Sequence, residues 1–271
     1  MVPPVMPPVP PAPRRYGSVN WLGLWTLSMR EVRRFTKVHT QTIAAPVVTT
    51  LLFLAVFVLA LGPQVAVAGE ISFAEFLAPG LIMMAMTQNA FANTSSSLVI
   101  AKVQGNIVDS LMPPLSPGEL VFGFAAGGIV RGIVVGAVVA ACLLPFVTLH
   151  VHAWGWILFN GLMASSLLSL LGIAGGVWSE KFDHIAAVTN FVVTPLAFLS
   201  GTFYTVDRLP EPWHLLALIN PFFYMIDGFR FGFIGHADAH PWTGAAVLVA
   251  TNVALAALCY GMFKRGYKLR S

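Results

Sequence analysis

The chain has 271 residues, of which 57% are hydrophobic types and only 10% are charged, with a formal net charge of +4. A soluble domain of this size wets its surface with about a quarter charged residues, so a soluble globular protein is excluded and lipid is the solvent for most of the chain. Its two cysteines, Cys142 and Cys259, lie inside apolar runs and form neither a disulfide framework nor a metal-binding spacing.

Residues 1–19 are rich in proline and carry no charge before Arg14. A secretory signal would show basic residues and then an apolar stretch; this segment shows neither and is expected to be a disordered cytoplasmic tail. In residues 20–38, Trp21, Trp25, Met29, Val32 and Phe35 recur at spacings of three and four, with Arg30, Arg33, Arg34 and Lys37 mostly between them. This pattern predicts an amphipathic helix with a basic face, lying in the membrane interface.

The remainder, 39–271, reads as a membrane domain. Span one is expected at 42–61, with Pro46 in its first turns and Gly62 and Pro63 ending it. Span two, 76–100, carries Thr87, Gln88, Asn89, Asn93, Thr94, Ser95, Ser96 and Ser97. Polar side chains in hydrocarbon need partners or water, so this face points away from lipid. Residues 102–119 hold Lys102, Asp109 and Glu119 with Pro113, Pro114 and Pro117, predicting a short amphipathic helix and a proline-stiffened turn. Span three, 120–146, repeats glycine every four residues at Gly128, Gly132 and Gly136, which permits close helix contact. Arg131 lies in this span; near mid-membrane it costs at least about 2.5–3.5 kcal/mol, unless the span begins later and the side chain snorkels.

Span four is expected at 154–178, followed by a polar turn at 179–184, and span five at 185–204 with Pro195 and Gly201. The stretch 205–235 is interrupted by Asp207, Arg208, Pro210, Glu211, Pro212, Asn220, Pro221, Asp227 and Arg230. No clean run of about 20 apolar residues fits there, so it predicts re-entrant or interfacial helices. Span six is expected at 242–263. The fold class is therefore an all-α polytopic membrane protein with six transmembrane helices, an amphipathic interface helix and re-entrant helices after span five.

Twelve of the 15 Lys and Arg residues fall on one face of a six-span arrangement: before span one, after spans two and four (Lys102, Lys181), and at the C-terminus. By the positive-inside rule that face is the cytoplasm, with both termini inside. The basic balance is thus a topology signature, not a nucleic-acid footprint. No G-x-x-x-x-G-K-[ST] phosphate loop, zinc motif or G-x-S-x-G elbow occurs. His150 and His152 read as solvated loop residues, and Asp227 and Arg230, three apart, as a structural ion pair. Two other readings stay open. An intramembrane lipid enzyme would have to use Asp227 with His236. An ion-coupled secondary transporter would have to use Arg131.

Three passages carry a family resemblance: FLAPGLI at 76–82, DSLMPPLSPGE at 109–119, and PLAFLSGTFY at 195–204, continuing through Leu209-Pro210 to NPFFY at 220–224 and DGFR at 227–230. In this order the chain, from about Trp21 onward, resembles the type-2 (ABC-2) permeases of ABC exporters, of the compact bacterial six-span kind. The resemblance implies a homodimer or close heterodimer of permeases docked on two separate P-loop ATPase subunits, which hold the ATP and Mg while this chain holds no cofactor. It implies contact with the ATPases through 20–37 and 102–119 (Arg30, Arg33, Arg34, Lys102, Asp109, Pro113, Pro114, Pro117 and Glu119), with 180–184 a second possible contact. It implies a substrate path lined by spans one, two and five, with Thr87, Asn89, Asn93, Thr94, Asn190, Thr194 and Ser200 as candidates. These residues serve equally well as glue between helices of one subunit. Phe203, Tyr204, Asn220, Pro221, Asp227 and Arg230 would form an outer gate. The implied cargo is a lipid-linked glycan, a lipid or an amphipathic drug, moved across a bacterial inner membrane.

Overall fold

The computed structural model describes residues 17–61, 71–206 and 209–269. The expected tail up to residue 16, the Gly62-Pro63 end of span one, and Asp207, Arg208 and Arg270 lie outside the described residues. Within those residues the secondary structure is helical, without strands.

Helix α1 (Trp21–Thr36) starts at Asn20, whose side-chain oxygen accepts the Gly23 N–H. Its buried stripe is Leu24, Leu27, Glu31 and Phe35, at the spacing of one helical face. The expected apolar stripe through Trp21 and Trp25 is the other one: those rings are 73% and 64% exposed. The helix is apolar on two sides, and the side that meets α5 (Pro117–Leu143) is the one that fits its glycines. A side-chain carbon at Gly123 would lie 2.9 Å from Leu27 Cγ.

Only two residues separate α1 from α2 (His39–Leu61). Span one therefore begins earlier than the expected 42, and Pro46 is an interior residue of the helix, not one of its first turn. The next helix, α3 (Phe73–Val103), opens with a capping box: Ser72 Oγ accepts the Glu75 N–H at 3.3 Å, and Glu75 Oε2 accepts the Ser72 N–H at 3.1 Å. At 31 residues it is about 46 Å long. After it come α4 (Ile107–Leu111) and α5. The latter starts three residues before the expected 120, because Ser116 and Glu119 form a second capping box with Pro117 at the first helical position. Arg131 consequently sits mid-helix.

Helix α6 (Trp154–Trp178) matches span four. Span five is one 18-residue helical rod made of α7 (Phe182–Val188), a π turn (Thr189–Val193) and α8 (Thr194–Leu199), so its apolar run ends at 199 and not at 204. In the π turn the Thr194 N–H reaches Thr189 O. Pro195, next in sequence, brings no N–H, and its ring collides with the carbonyl four residues back in a regular helix; the wider turn relieves that collision.

The interrupted region folds as α9 (Trp213–Ile219) and α10 (Pro221–Ile234). At 14 residues, α10 is about 21 Å long, short of the ~30 Å hydrocarbon layer. Helix α11 (Pro241–Arg265) completes the fold.

Among the described residues, five rods are long and apolar enough to cross a membrane: α2, α5, α6, α7–α8 and α11. This makes the chain a multi-pass membrane protein. The polar cluster lowers the hydropathy of α3, which runs through the centre of the bundle with 22 buried residues. It packs most closely on α5 and α6. A side-chain carbon at Gly132 of α5 would lie 3.0 Å from the Met86 carbonyl oxygen and 2.9 Å from Ser165 Oγ, so the glycine repeat permits the close contact that its spacing predicts. By contrast, α2 and α7–α8 are largely uncovered, with Leu59 at 81% and Phe191 at 82% exposure.

Candidate coupling face and transport cleft

One end of the bundle gathers α1, α4, the start of α5, the α6–α7 turn and the C-terminal end of α11. Here Glu119 Oε1 accepts the Asn20 N–H at 2.5 Å, and the Asn20 side chain donates to Pro114 O at 3.2 Å. Arg30 donates to Ser110 Oγ at 2.9 Å and pairs with Glu31 at 3.0 Å. Arg34 turns inward. It pairs with Glu31 at 3.3 Å and donates to Asn93 O, to Asn93 Oδ1 at 3.1 Å and to Ser96 Oγ at 3.2 Å. Lys102 lies in the last turn of α3, not in a loop, and donates to Val177 O at 2.7 Å and Ser179 O at 2.5 Å. These are orphan carbonyls at the end of α6, where a cation is favoured. On the far side of the same turn, Lys268 pairs with Glu180 at 2.8 Å.

Of the expected coupling residues, Arg30, Arg33, Asp109, Pro113 and Pro114 are exposed, Arg34, Lys102 and Glu119 bind elements together, and Pro117 opens α5. A cleft of about 650 Å³ between α1 and the α3–α4 corner is lined by Trp25, Arg33, Lys37, Gln104 and Asp109, among others. Glu31 and Ser110, which fix the two arginines, carry no signal in the sequence beyond their polarity.

The polar cluster of α3 divides into two sets. Thr87 donates to Met83 O at 2.8 Å, Thr94 to Ser169 O at 2.9 Å across to α6, and Asn93 receives Arg34. All three are buried; Thr94 and Asn93 tie α3 to its neighbours, whereas the Thr87 bond stays within α3. Gln88 and Ser96, half-buried, and Asn89, itself buried, line two clefts. One, about 640 Å³, lies between α2, α3 and α5 and includes Thr42, Thr50, Arg34 and Arg131. The other, about 380 Å³, lies between α3 and the π turn and includes Thr189 and Thr194. Of the expected path residues, therefore, Asn89 and Thr194 line clefts, Ser200 is buried against Ala197 O, and Asn190 is on the outer surface. Gln88 and Ser96, eight residues apart on one helical face, share both clefts. That spacing was the available signal for them. Arg131 donates to Asn89 Oδ1 at 2.9 Å.

At the opposite end, Phe203 stacks on Phe57 with ring centroids 4.5 Å apart and on Phe198 at 5.4 Å. Tyr204 donates to Phe198 O at 3.2 Å, and Asn220 both caps α10, ahead of Pro221, and donates to Leu196 O at 2.8 Å. Asp227 and Arg230 do not form the expected ion pair. Asp227 accepts the Asp238 and Ala239 N–H groups at 2.8 and 3.0 Å. Arg230 donates to Gly201 O at 2.7 Å with its guanidinium 3.9 Å from the centre of the Phe76 ring. His236 faces Asp238 at 3.9 Å, not Asp227. Asp238, unremarked in the sequence, accepts the Val206 N–H at 3.0 Å and completes this tie.

The pattern of the family described as ABC-2 type transporter matches residues 23–234, from the first turn of α1 to the last residue of α10. The chain belongs to the ABC-2 type transporter family. This ABC-2 permease is 38% identical over 251 residues to "Inner membrane transport permease YadH" of Escherichia coli K12, covering 93% of this chain and 98% of the relative. It is 28% identical over 226 residues to "Nodulation protein J" of Rhizobium leguminosarum bv. trifolii, covering 81% and 83%, and 25% identical over 227 residues to "Nodulation protein J" of Rhizobium meliloti. Membership makes the chain a membrane transport subunit that works with ATP-binding subunits.

Proposed function

We propose that this permease is the membrane half of an ATP-driven exporter in a bacterial inner membrane, working as two copies on two P-loop ATPase subunits that bind the ATP and Mg. In this reading α3 is the sixth span, α9 and α10 are re-entrant, and both termini are cytoplasmic. The cargo is a lipid-linked glycan, a lipid or an amphipathic drug. The observation that carries the reading is the polar strip of Gln88, Asn89 and Ser96 between α2 and α7–α8, two rods whose apolar faces are largely uncovered by the other described residues. A second copy laid on those faces would enclose the strip between two subunits. The ATPases would press on the exposed Arg33, Asp109, Pro113 and Pro114. The inward ties of Arg34, Lys102 and Glu119 would pass that push to α3, α5 and α6 as a rigid-body displacement. Exposed Trp21 and Trp25 suit an interfacial position for α1. The aromatic stack at Phe203 would close the path on the outer side.

The test is co-expression with a candidate ATPase, purification, and reconstitution into vesicles. We expect copurification and ATP-dependent movement of a fluorescent amphiphile. Transport by the chain alone, or transport that follows a proton gradient and ignores ATP, would reject the reading.

A further inference from the structure

The cleft between α2, α3 and α5 contains more positive charge than the described residues neutralise. Of its two cations, Arg34 is paired with Glu31, which lines the neighbouring cleft beside α1 and whose other oxygen is taken by Arg30. Arg131 has only the neutral Asn89 side chain. Among the described residues no carboxylate pairs with it, and the charged side chain that acts on it is Arg34, another cation. A second copy does not cure this. α2 contains no Asp or Glu, and residues 182–199 contain only Asp183, in the first turn.

Depth narrows the choice of counter-ion. Arg131 is the fifteenth of the 27 residues of α5, about 21 Å along it, near the middle of a layer ~30 Å thick. A guanidinium there is costly and marks a ligand pathway more often than a structural position. The headgroups of resident lipids stay at the two surfaces, so an anion at this level is one in passage. The lining is also two-sided. Thr42, Thr50 and Gln88 offer hydroxyl and amide groups, whereas Pro46, Phe53, Leu81 and Met84 form an apolar wall.

We infer that this cleft is a mid-membrane site for the anionic headgroup, phosphate or carboxylate, of an amphipathic cargo, with Arg131 as its anchor and Asn89 holding the guanidinium in place. A planar fork of N–H donors suits such a group. The inference rests on the transport reading for the word cargo; the anion site itself does not.

The test uses the full chain purified in detergent, titrated by native mass spectrometry with phosphatidic acid, with diacylglycerol of the same acyl chains, and with inorganic phosphate. We expect phosphatidic acid to bind and diacylglycerol not to. Arg131→Gln should weaken phosphatidic acid binding roughly tenfold or more, while Arg131→Lys keeps most of it. In case Arg131→Gln does not fold, Gln88→Glu supplies a second arm: it changes the charge of the lining at nearly constant size and should weaken binding similarly. The proposal is overturned if the wild-type chain does not bind phosphatidic acid, if Arg131→Gln or Gln88→Glu chains that melt normally bind it as the wild type does, or if inorganic phosphate binds as tightly as the amphiphile. Copurification with the ATPase is scored separately. A chain that recruits the ATPase but fails the titration loses only this site, and one that binds phosphatidic acid without recruiting an ATPase loses only the transport reading.

Discussion

The Asn20 backbone N–H donates to Glu119 Oε1 at 2.5 Å, joining the first turn of α1 to the first turn of α5 across 99 residues of sequence. Glu119 also completes its own capping box, so one carboxylate serves two helix starts. Glu119→Ala should cost about 1–2 kcal/mol in thermal stability, and Glu119→Gln less. Under the proposed coupling, ATP hydrolysis in the reconstituted complex should then run ahead of transport. A variant with normal melting and a normal ratio of transport to hydrolysis would remove the coupling role.

Lys102 closes two carbonyls at the end of α6. Lys102→Met leaves those groups without their donor, at roughly 1–3 kcal/mol. Faster limited proteolysis at the 179–184 turn is the expected readout, with Lys102→Arg partly restoring protection.

Gly132 admits no side chain against the Met86 carbonyl and Ser165. Gly132→Val should collapse the yield of monodisperse protein on size exclusion, because overpacking of this kind costs typically 1–3 kcal/mol and backbone cannot move aside as a side chain can. Gly132→Ala should be milder but still lower the melting temperature.

Asp227 and His236 distinguish a structural tie from acid–base chemistry. Asp227→Ala strips two N–H groups of their acceptor and should destabilise the α10–α11 connection by about 1–3 kcal/mol. His236→Ala should leave both stability and transport unchanged. Loss of function in His236→Ala at full stability would instead revive an enzyme using these residues.

The Glu180–Lys268 pair gives a pH dependence. Hydrogen bonding to Lys268 holds the Glu180 carboxyl below its ordinary value, and the same bond raises Lys268. A carboxylate depressed on folding binds fewer protons in the folded state, so the tie is present above the ordinary value of about 4.3 and is lost as pH falls through the lowered one. Proteolysis of residues 266–269 should quicken in acid or high salt and be insensitive to pH between 6 and 8.

Hydropathy and glycine spacing made α2, α5, α6, α11 and the broken region before α11 readable from sequence. What stayed hidden depended on which of two plausible faces a neighbour takes. α1 has one stripe through Trp21 and Trp25 and another through Leu24 and Leu27; the choice was made by the glycines of α5, a hundred residues away. The polar run of α3 covers every side of the helix, so Thr87 and Gln88 were indistinguishable by composition, yet one is buried and bonds back to its own helix and the other lines a cleft. The π turn rotates all side chains after residue 193 relative to a regular helix, so Asn190 and Thr194, four apart, do not share the face that the count suggests. Lys102 and Arg230 could be seen as charges, but their acceptors are backbone carbonyls, which a sequence does not mark.

The ties that hold α1 also impose an order on biosynthesis. Its partners, Asn93, Ser96, Ser110 and Glu119, are translated 59 to 99 residues after the groups they bind. When α1 leaves the ribosome, none of these four partners yet exists. At the N-terminal-first pace of synthesis, ~5–20 residues per second, several seconds pass before α5 can receive Leu27 and Glu31. During that interval the helix must shelter its apolar residues elsewhere, and its exposed tryptophans and arginines suit it to wait on the lipid surface.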